Sequence, residues 1–97
     1  MAELLSAADV EREIAGLSGW ERSGDSVTRT WERKGFNGAV QLANVVAFVA
    51  NQMNHHPDIS VHGYNKVTVT STTHDAGGIT ANDVELARRI SQAVGES

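Results

Sequence analysis

Apolar positions recur at helical spacing in three segments of the chain, and apolar and polar positions alternate in the stretches between them. In the first segment Val10, Ile14 and Leu17 share one face, which follows Ser6, a residue type favoured at helix N-caps. Gly16 stands near the end of this face. The pattern predicts a short amphipathic helix.

The second helical segment begins at Asn37-Gly38 and is apolar over more than one face. Since one face is enough to cover a sheet, we expect the remaining apolar surface to contact a second subunit. Pro57 disfavours helical dihedral angles at His56, so the helix should end before the histidine pair that begins at His55. The apolar positions form two groups at helical spacing: Val40, Ala43, Ala47 and Ala50, and Val45, Phe48 and Val49.

The third helical segment follows a loop at residues 75–78. Thr80 is a favoured N-cap, and Asp83 occupies the third helical position, where its carboxylate can complete a capping box. This segment predicts an amphipathic helix whose apolar positions are Val84, Leu86, Ala87, Ile90 and Val94.

The alternating stretches predict two β-hairpins. Gly24-Asp25 is typical of a turn, and residues 27–31 after it alternate as a strand does. Residues 59–62 and 66–73 alternate in the same way and are joined through Gly63-Tyr64-Asn65. The predicted order is α-β-β-α-β-β-α. It favours an α+β fold of two layers, with a four-stranded antiparallel sheet and helices packed on one face, as a single domain over residues 1–97.

Composition narrows the classes of function. The chain has 97 residues, a net charge of −4 and no cysteine. It lacks the basic surface that direct nucleic-acid binding requires, and it can form neither a disulfide nor a cysteine-based zinc site. Neither a signal peptide nor an apolar run of membrane-spanning length is evident, so we expect a soluble, cytoplasmic protein without a membrane partner.

All four histidines lie between residues 55 and 74. His55 and His56 directly precede the only proline, Pro57, in a connection of the kind where functional groups concentrate. His62 sits at the predicted mouth of a turn, where a histidine is most often an ordinary surface residue. Two imidazoles that titrate near neutral pH can serve as proton donor and acceptor, so the group favours acid–base chemistry.

A metal site is the alternative for the same side chains. His55, His56, His74 and Asp83 offer the nitrogen and oxygen ligands that zinc accepts. However, adjacent residues of an extended segment point their side chains in different directions, and the chain has neither an H-x-H nor an H-x-x-x-H pattern. We therefore expect no metal.

The spacing of these residues matches a known signature: His55-His56-Pro57, then Tyr64, His74 and Asp83, with the stretches "YNKVTVTSTTH" and "GGITANDVELARRI". In these features, which extend from near Gly19 to Val94, the chain resembles the pterin-4a-carbinolamine dehydratases, also called 4a-hydroxytetrahydrobiopterin dehydratases.

The resemblance implies a dehydration in tetrahydrobiopterin recycling. An aromatic amino-acid hydroxylase leaves a hydroxyl group on C4a of its tetrahydropterin, and loss of water gives a quinonoid dihydropterin. No metal or organic cofactor is implied, because the N5 lone pair expels the leaving group. The expected partners are a small-molecule pterin and further copies of the chain in a homodimer or homotetramer.

The resemblance also implies roles for individual residues. His55 and His74 would form the acid–base pair, His56 would orient the substrate or share the proton transfer, and Asp83 would support His74. Trp20 would wall the pocket, with a place in the core as the alternative. The candidates for binding the pterin are Trp20 and, because they stand beside the histidines in the sequence, Asn54, Thr72, Thr73 and Asp75.

One position departs from the family pattern. Asn51 stands where the family usually has an ionisable residue, most often glutamate, and an amide cannot bias protonation of the histidines by charge.

An alternative function also stays open. It is a non-catalytic dimerisation or interaction module that uses the apolar helix Val40–Met53, since animal members of the family bind a transcription factor through a helical surface.

Overall fold

Three helices and four strands follow one another in the predicted order α-β-β-α-β-β-α. The protein is described by a computed structural model, which covers residues 3–96. Within these residues no helix is both long enough and apolar enough to cross a membrane. The elements are α1 Ala7–Ala15, β1 Glu21–Ser23, β2 Ser26–Glu32, α2 Phe36–Met53, β3 Asp58–His62, β4 Lys66–Ser71 and α3 Ala81–Ala93.

The strands form one antiparallel sheet in the order β1-β2-β4-β3. Its two faces differ sharply. Trp31 lies opposite Val67 in the register of β2 and β4, and both side chains are buried in the core. On the other face Thr30 lies opposite Thr68, and their hydroxyl oxygens are 2.7 Å apart. The helices therefore cover one apolar face and leave a polar face uncovered, as predicted.

The core joins the three helices to this apolar face. Leu86 and Ile90 of α3 are fully buried. Trp20 packs edge-on against Trp31 with ring centroids 5.7 Å apart, and its Nε1–H donates to Ser91 Oγ at 3.0 Å. Trp20 thus takes the core position that the sequence left open as its alternative.

The predicted helix boundaries are confirmed where capping chemistry indicated them. Ser6 accepts from the Asp9 N–H at the start of α1, and Thr80 accepts from the Asn82 N–H at the start of α3. Strand β4 is shorter than predicted and ends at Ser71, because the chain then turns into a loop closed by a bridge between Thr73 and Gly78.

Candidate active site

An open cleft of about 290 Å³ lies between the end of α2 and the loop that follows β4. This volume is near the lower end of about 300–1,000 Å³ for small-molecule sites. Sequence reasoning had selected every side chain that lines it. These residues are Asn54, His55, His56, Thr72, Thr73, His74 and Asp75.

The end of α2 positions the histidine pair. Asn54 adopts a left-handed conformation (φ 52°, ψ 41°), and its N–H donates to the Asn51 carbonyl at 3.2 Å. The His55 N–H donates to the Ala50 carbonyl at 3.1 Å. These two bonds form a Schellman motif, with asparagine in the left-handed position that glycine usually takes. The motif ends the helix before the histidine pair, as Pro57 predicted.

His55 is anchored by a buried carboxylate. Its Nε2 lies 2.7 Å from Oδ1 of Asp83, whose side chain is fully buried. The side chain of His55 itself is 15% exposed. The resemblance implied Asp83 as a support for His74, but the structure gives it His55 as a partner instead. The physical reason is placement, since α2 packs against α3, which carries Asp83, while His74 is exposed on the loop that follows β4.

Four donors surround the Asp83 carboxylate. Oδ1 accepts from His55 and from the Ser71 hydroxyl at 2.6 Å. Oδ2 accepts from the Thr73 hydroxyl at 2.7 Å and from the Thr80 N–H at 2.9 Å. Burial alone would raise the pKa of Asp83, but the hydrogen bonds, led by the one from His55, outweigh it and hold that pKa below its ordinary value. Asp83 is therefore a carboxylate at neutral pH.

An ionised Asp83 fixes the tautomer of His55. A carboxylate can only accept hydrogen bonds, so Nε2 of His55 must carry the shared hydrogen. The other ring nitrogen, Nδ1, is then the atom that can exchange a proton while the Nε2 bond stays in place. Asp83 also stabilises positive charge on the ring when a proton arrives, as the aspartate of a catalytic triad does.

His56 has a neutral partner instead of a charged one. Its Nε2 lies 2.9 Å from Oδ1 of Asn51, on the exposed side of α2. Asn51, the residue that departs from the family pattern, therefore contacts His56 and not His55. The two adjacent histidines differ in kind, since one is backed by a carboxylate and the other by an amide.

His74 and Asp75 project from the loop between β4 and α3. Within this loop the Thr73 carbonyl accepts from the N–H groups of Ala76 and Gly77, at 3.1 and 2.9 Å. Both His74 and Asp75 are exposed. Thr72 is held by donating its hydroxyl to the Asp25 carbonyl at 2.7 Å. A tight loop thus holds an exposed imidazole across the cleft from His55.

His62 and Trp20, which the sequence analysis considered, both lie outside the cleft. His62 hydrogen-bonds through Nε2 to Thr68 Oγ1 at 2.8 Å on the uncovered face of the sheet, so it is separate from the site. Trp20 is absent from the cleft lining and lies in the core. Among residues 3–96 no three histidine or acidic side chains are grouped so that they could hold a metal ion.

Sequence reasoning predicted the contact of Asp83 with Thr80, as a capping box, but missed Ser71. Ser71 is buried at the end of β4. A signal existed for Ser71, because the alternation that places Val67 and Val69 in the core also places Ser71 there. A buried hydroxyl at a core position needs a partner, but the sequence does not show which one.

A larger depression, of about 370 Å³, lies between α1 and α3. Its charged side chains already pair with one another. Arg88 lies 3.3 Å from Glu13 and also pairs with Glu85, and Arg12 pairs with Asp9. The depression contains no histidine, and its carboxylates are paired with arginines, whereas the smaller cleft holds three histidines.

Comparison with known proteins agrees with the signature. Residues 3–93 match the family model described as pterin 4 alpha carbinolamine dehydratase. A relative from Thermosynechococcus vestitus is 47% identical over 94% of this chain and 95% of its own length. Another, from Roseiflexus castenholzii, is 39% identical over 97% of this chain and all of its own length. Both relatives are named for this family.

Two solved structures share the fold. A protein from Brucella melitensis, described as a transcriptional coactivator/pterin dehydratase, superposes with a TM-score of 0.85. It is 29% identical, and the match covers 94% of this chain and 98% of that protein. A pterin dehydratase-like RuBisCO assembly factor of the alpha-carboxysome has a TM-score of 0.62 at 15% identity, covers 80% of this chain and 89% of its own, and shows the fold alone.

Proposed function

Because the chain belongs to the pterin-4a-carbinolamine dehydratase family, we propose that it converts 4a-hydroxytetrahydropterin to quinonoid dihydropterin and water, in cytoplasmic tetrahydropterin recycling. The observation that carries the proposal is the single cleft that brings together His55, His56 and His74, with Asp83 buried behind His55. Acid–base chemistry by these imidazoles is the mechanism it supports.

The reaction needs one proton donor and one proton acceptor. The C4a–O bond breaks, the departing hydroxyl takes a proton from an acid and leaves as water, and N5 loses its proton to a base. The N5 electron pair forms the new C4a–N5 double bond. The enzyme ends with the same number of protons as it had at the start, although they have moved between two groups.

His55 and His74 are the proposed acid–base pair. They reach the cleft from different elements, the end of α2 and the loop after β4, so they can act on different atoms of one bound substrate. Asp83 keeps Nε2 of His55 protonated and leaves Nδ1 for the transfer. We assign Asp83 to His55 in this mechanism. His56 orients the substrate or shares the transfer.

The polar groups beside the histidines are proposed to bind the pterin's amide edge. Asn54 and Asp75 line the cleft and are exposed, so their side chains are accessible to a ligand. The hydroxyl groups of Thr72 and Thr73 are already engaged with Asp25 and Asp83, so these two threonines shape the cleft and support its walls.

A stopped-flow measurement tests the function directly. 4a-Hydroxytetrahydropterin, generated by a hydroxylase, loses water at a measurable spontaneous rate, and the protein should accelerate that loss in proportion to its concentration. If the rate with protein equals the spontaneous rate, the protein is not a dehydratase for this substrate.

The outer surface of α2 supports a second role, as a contact between copies of the chain. Phe48 is 63% exposed and Val45 is 37% exposed, although α2 also buries Leu42, Val46 and Val49 against the core. Exposed aromatic residues on an otherwise packed helix favour an interface. We propose a homodimer or homotetramer. A non-catalytic interaction module would use the same surface, and the dehydration assay separates the two roles.

A further inference from the structure

Ser71 is a polar side chain at a position that the sheet otherwise fills with valine. Val67, Val69 and Ser71 alternate along the core face of β4, and Ser71 is 1% exposed. It does not line the cleft. A buried hydroxyl costs free energy unless it is hydrogen-bonded, and Ser71 makes one side-chain bond, to Oδ1 of Asp83 at 2.6 Å.

The bond from Ser71 goes to the same carboxylate oxygen that His55 uses. Oδ1 accepts from Ser71 and His55, while Oδ2 accepts from Thr73 and Thr80. A carboxylate has about four acceptor positions, and here all of them are occupied. Rotation of the carboxylate would break several of these bonds at once, so Oδ1 is held facing Nε2 of His55.

The other oxygen is fixed by a chain of hydrogen bonds with one direction. The Asn82 N–H donates to Thr80 Oγ1 at 3.2 Å, and Thr73 gives its hydroxyl hydrogen to Asp83 Oδ2. The Thr80 hydroxyl must therefore donate to Thr73 Oγ1, across 2.8 Å. This chain involves Thr73, which lines the cleft, whereas Ser71 touches the site only through Asp83.

We propose that Ser71 is a positioning residue: its hydroxyl holds Oδ1 of Asp83 against Nε2 of His55 and so keeps Nδ1 of His55 available for proton transfer. The proposal rests on the proposed dehydratase function for its kinetic part and on the hydrogen-bond geometry alone for its tautomer part.

Loss of the Ser71 hydroxyl acts on the tautomer through Asp83. Without that donor, one of the four bonds that fix the carboxylate is gone, and Oδ1 is held less firmly against Nε2 of His55. The Nε2–H then loses part of the acceptor that favours it, so the hydrogen occupies Nδ1 in part of the molecules, while the number of protons on the pair stays the same. In that tautomer Nδ1 can no longer accept a proton.

The experiment compares Ser71→Ala with Ser91→Ala. Ser91 is also 1% exposed, and its hydroxyl is bonded to Trp20 Nε1 away from the cleft, so it controls for loss of a buried hydroxyl. Protein labelled with [¹⁵N]histidine reports which ring nitrogen of His55 carries the hydrogen, with the His55 signal assigned by its loss in His55→Gln. Stopped-flow dehydration gives kcat and KM.

The expected result separates the two serines. Ser71→Ala should move hydrogen from Nε2 to Nδ1 of His55 in a measurable fraction of molecules. It should lower kcat by about 10-fold or more with little change in KM, the size expected for a hydrogen bond to a charged group. Ser91→Ala should keep the tautomer and the kcat of the unmodified protein. Ser71→Thr, which keeps a hydroxyl and suits a strand, should keep both as well.

An unchanged His55 tautomer and kcat in folded Ser71→Ala would overturn the proposal, as would equal losses in Ser71→Ala and Ser71→Thr, which would indicate packing alone. If Ser71→Ala does not fold, Ser71→Cys fills the same space with a weak donor and must show the tautomer change instead. If the unmodified protein fails to accelerate dehydration but the tautomer moves as expected, the dehydratase function fails and the role of Ser71 stands.

Discussion

His55 and Asp83 are separated by 28 residues in sequence, yet Nε2 of the one lies 2.7 Å from Oδ1 of the other. The same carboxylate accepts from the N–H of Thr80 and so completes the capping box of α3. One side chain thus closes the start of a helix and orients an imidazole of the cleft. The stability of α3 and the chemistry of His55 therefore depend on the same charge.

The charge of Asp83 should make the free energy of unfolding depend on pH in the acidic range. Because hydrogen bonds lower the pKa of Asp83 in the folded protein, its contribution is fully present well above the ordinary value of 3.8 and is lost as the pH falls below that value. Asp83→Asn should cost about 1–3 kcal/mol near neutral pH, since it disturbs buried donors.

Urea unfolding of both proteins between pH 6 and pH 3 measures this dependence. The difference in unfolding free energy between the unmodified protein and Asp83→Asn should shrink as the pH falls. A difference that stays constant over that range would mean that the pKa of Asp83 is not lowered by folding.

The neutral partner of His56 predicts a separate pH effect. Asn51→Glu places a carboxylate where an amide oxygen now lies 2.9 Å from Nε2 of His56. A negative charge at that distance stabilises the imidazolium, so the ring should be half-protonated at a higher pH in the variant. NMR titration of His56 measures this, and the acid limb of the rate profile should move in the same direction.

Gln52→Glu is the matched control for charge. Residue 52 is the next position on α2 and is exposed, and its side chain points about 100° away from that of Asn51 around the helix axis. It should leave the titration of His56 almost unchanged. Equal shifts in Asn51→Glu and Gln52→Glu would show a general charge effect and no specific pairing of position 51 with His56.

The exposed apolar surface of α2 predicts that a charge placed on it disrupts the proposed homo-oligomer. Phe48→Asp should separate the proposed homo-oligomer into smaller species, because an aspartate would be buried without a partner between subunits. Light scattering after size-exclusion chromatography measures the mass. Phe36→Asp is the control, since Phe36 is also exposed, at 58%, but lies about 120° away around the helix. The same mass for the two variants, or a monomeric unmodified protein, would contradict the proposed interface.

Local signals predicted the elements well. Ser6 and Thr80 marked helix starts, Pro57 marked the end of α2, and alternation marked β2 and β4, because capping and periodicity depend on residues close in sequence. The end of β4 was predicted too late. Thr72 and Thr73 continue the polar pattern of a strand, but the chain leaves the sheet after Ser71 and forms a loop that is closed by a bridge between Thr73 and Gly78. No local sequence rule indicated this bridge.

The hydrogen-bond partners of the site residues could not be predicted from the sequence. All seven residues that line the cleft had been selected from the sequence: the signature indicated the three histidines, and Asn54, Thr72, Thr73 and Asp75 were selected because they stand beside them. The signature did not predict that Asp83 would face His55 and not His74, or that Ser71 would hold Asp83. Both contacts depend on how the start of α3 packs against α2 and β4, which is a property of the whole fold.

The histidines themselves provide the most direct test of acid–base catalysis in this cleft. Removal of a proton-transfer group typically costs about 10²–10⁴-fold in rate. His55→Ala and His74→Ala should each lose that much of the dehydration rate. The double variant should be little worse than the poorer single one, because the two groups act on one elimination. His62→Ala should match the unmodified protein, since His62 contacts Thr68 on the uncovered face of the sheet.

The deciding measurement is the stopped-flow rate of 4a-hydroxytetrahydropterin dehydration by the folded His74→Ala and His62→Ala proteins, each compared with the unmodified protein. We predict a loss of about 100-fold or more for His74→Ala and none for His62→Ala. A near-normal rate for His74→Ala, or a large loss for His62→Ala, would contradict the assignment of proton transfer to the cleft between α2 and the loop after β4.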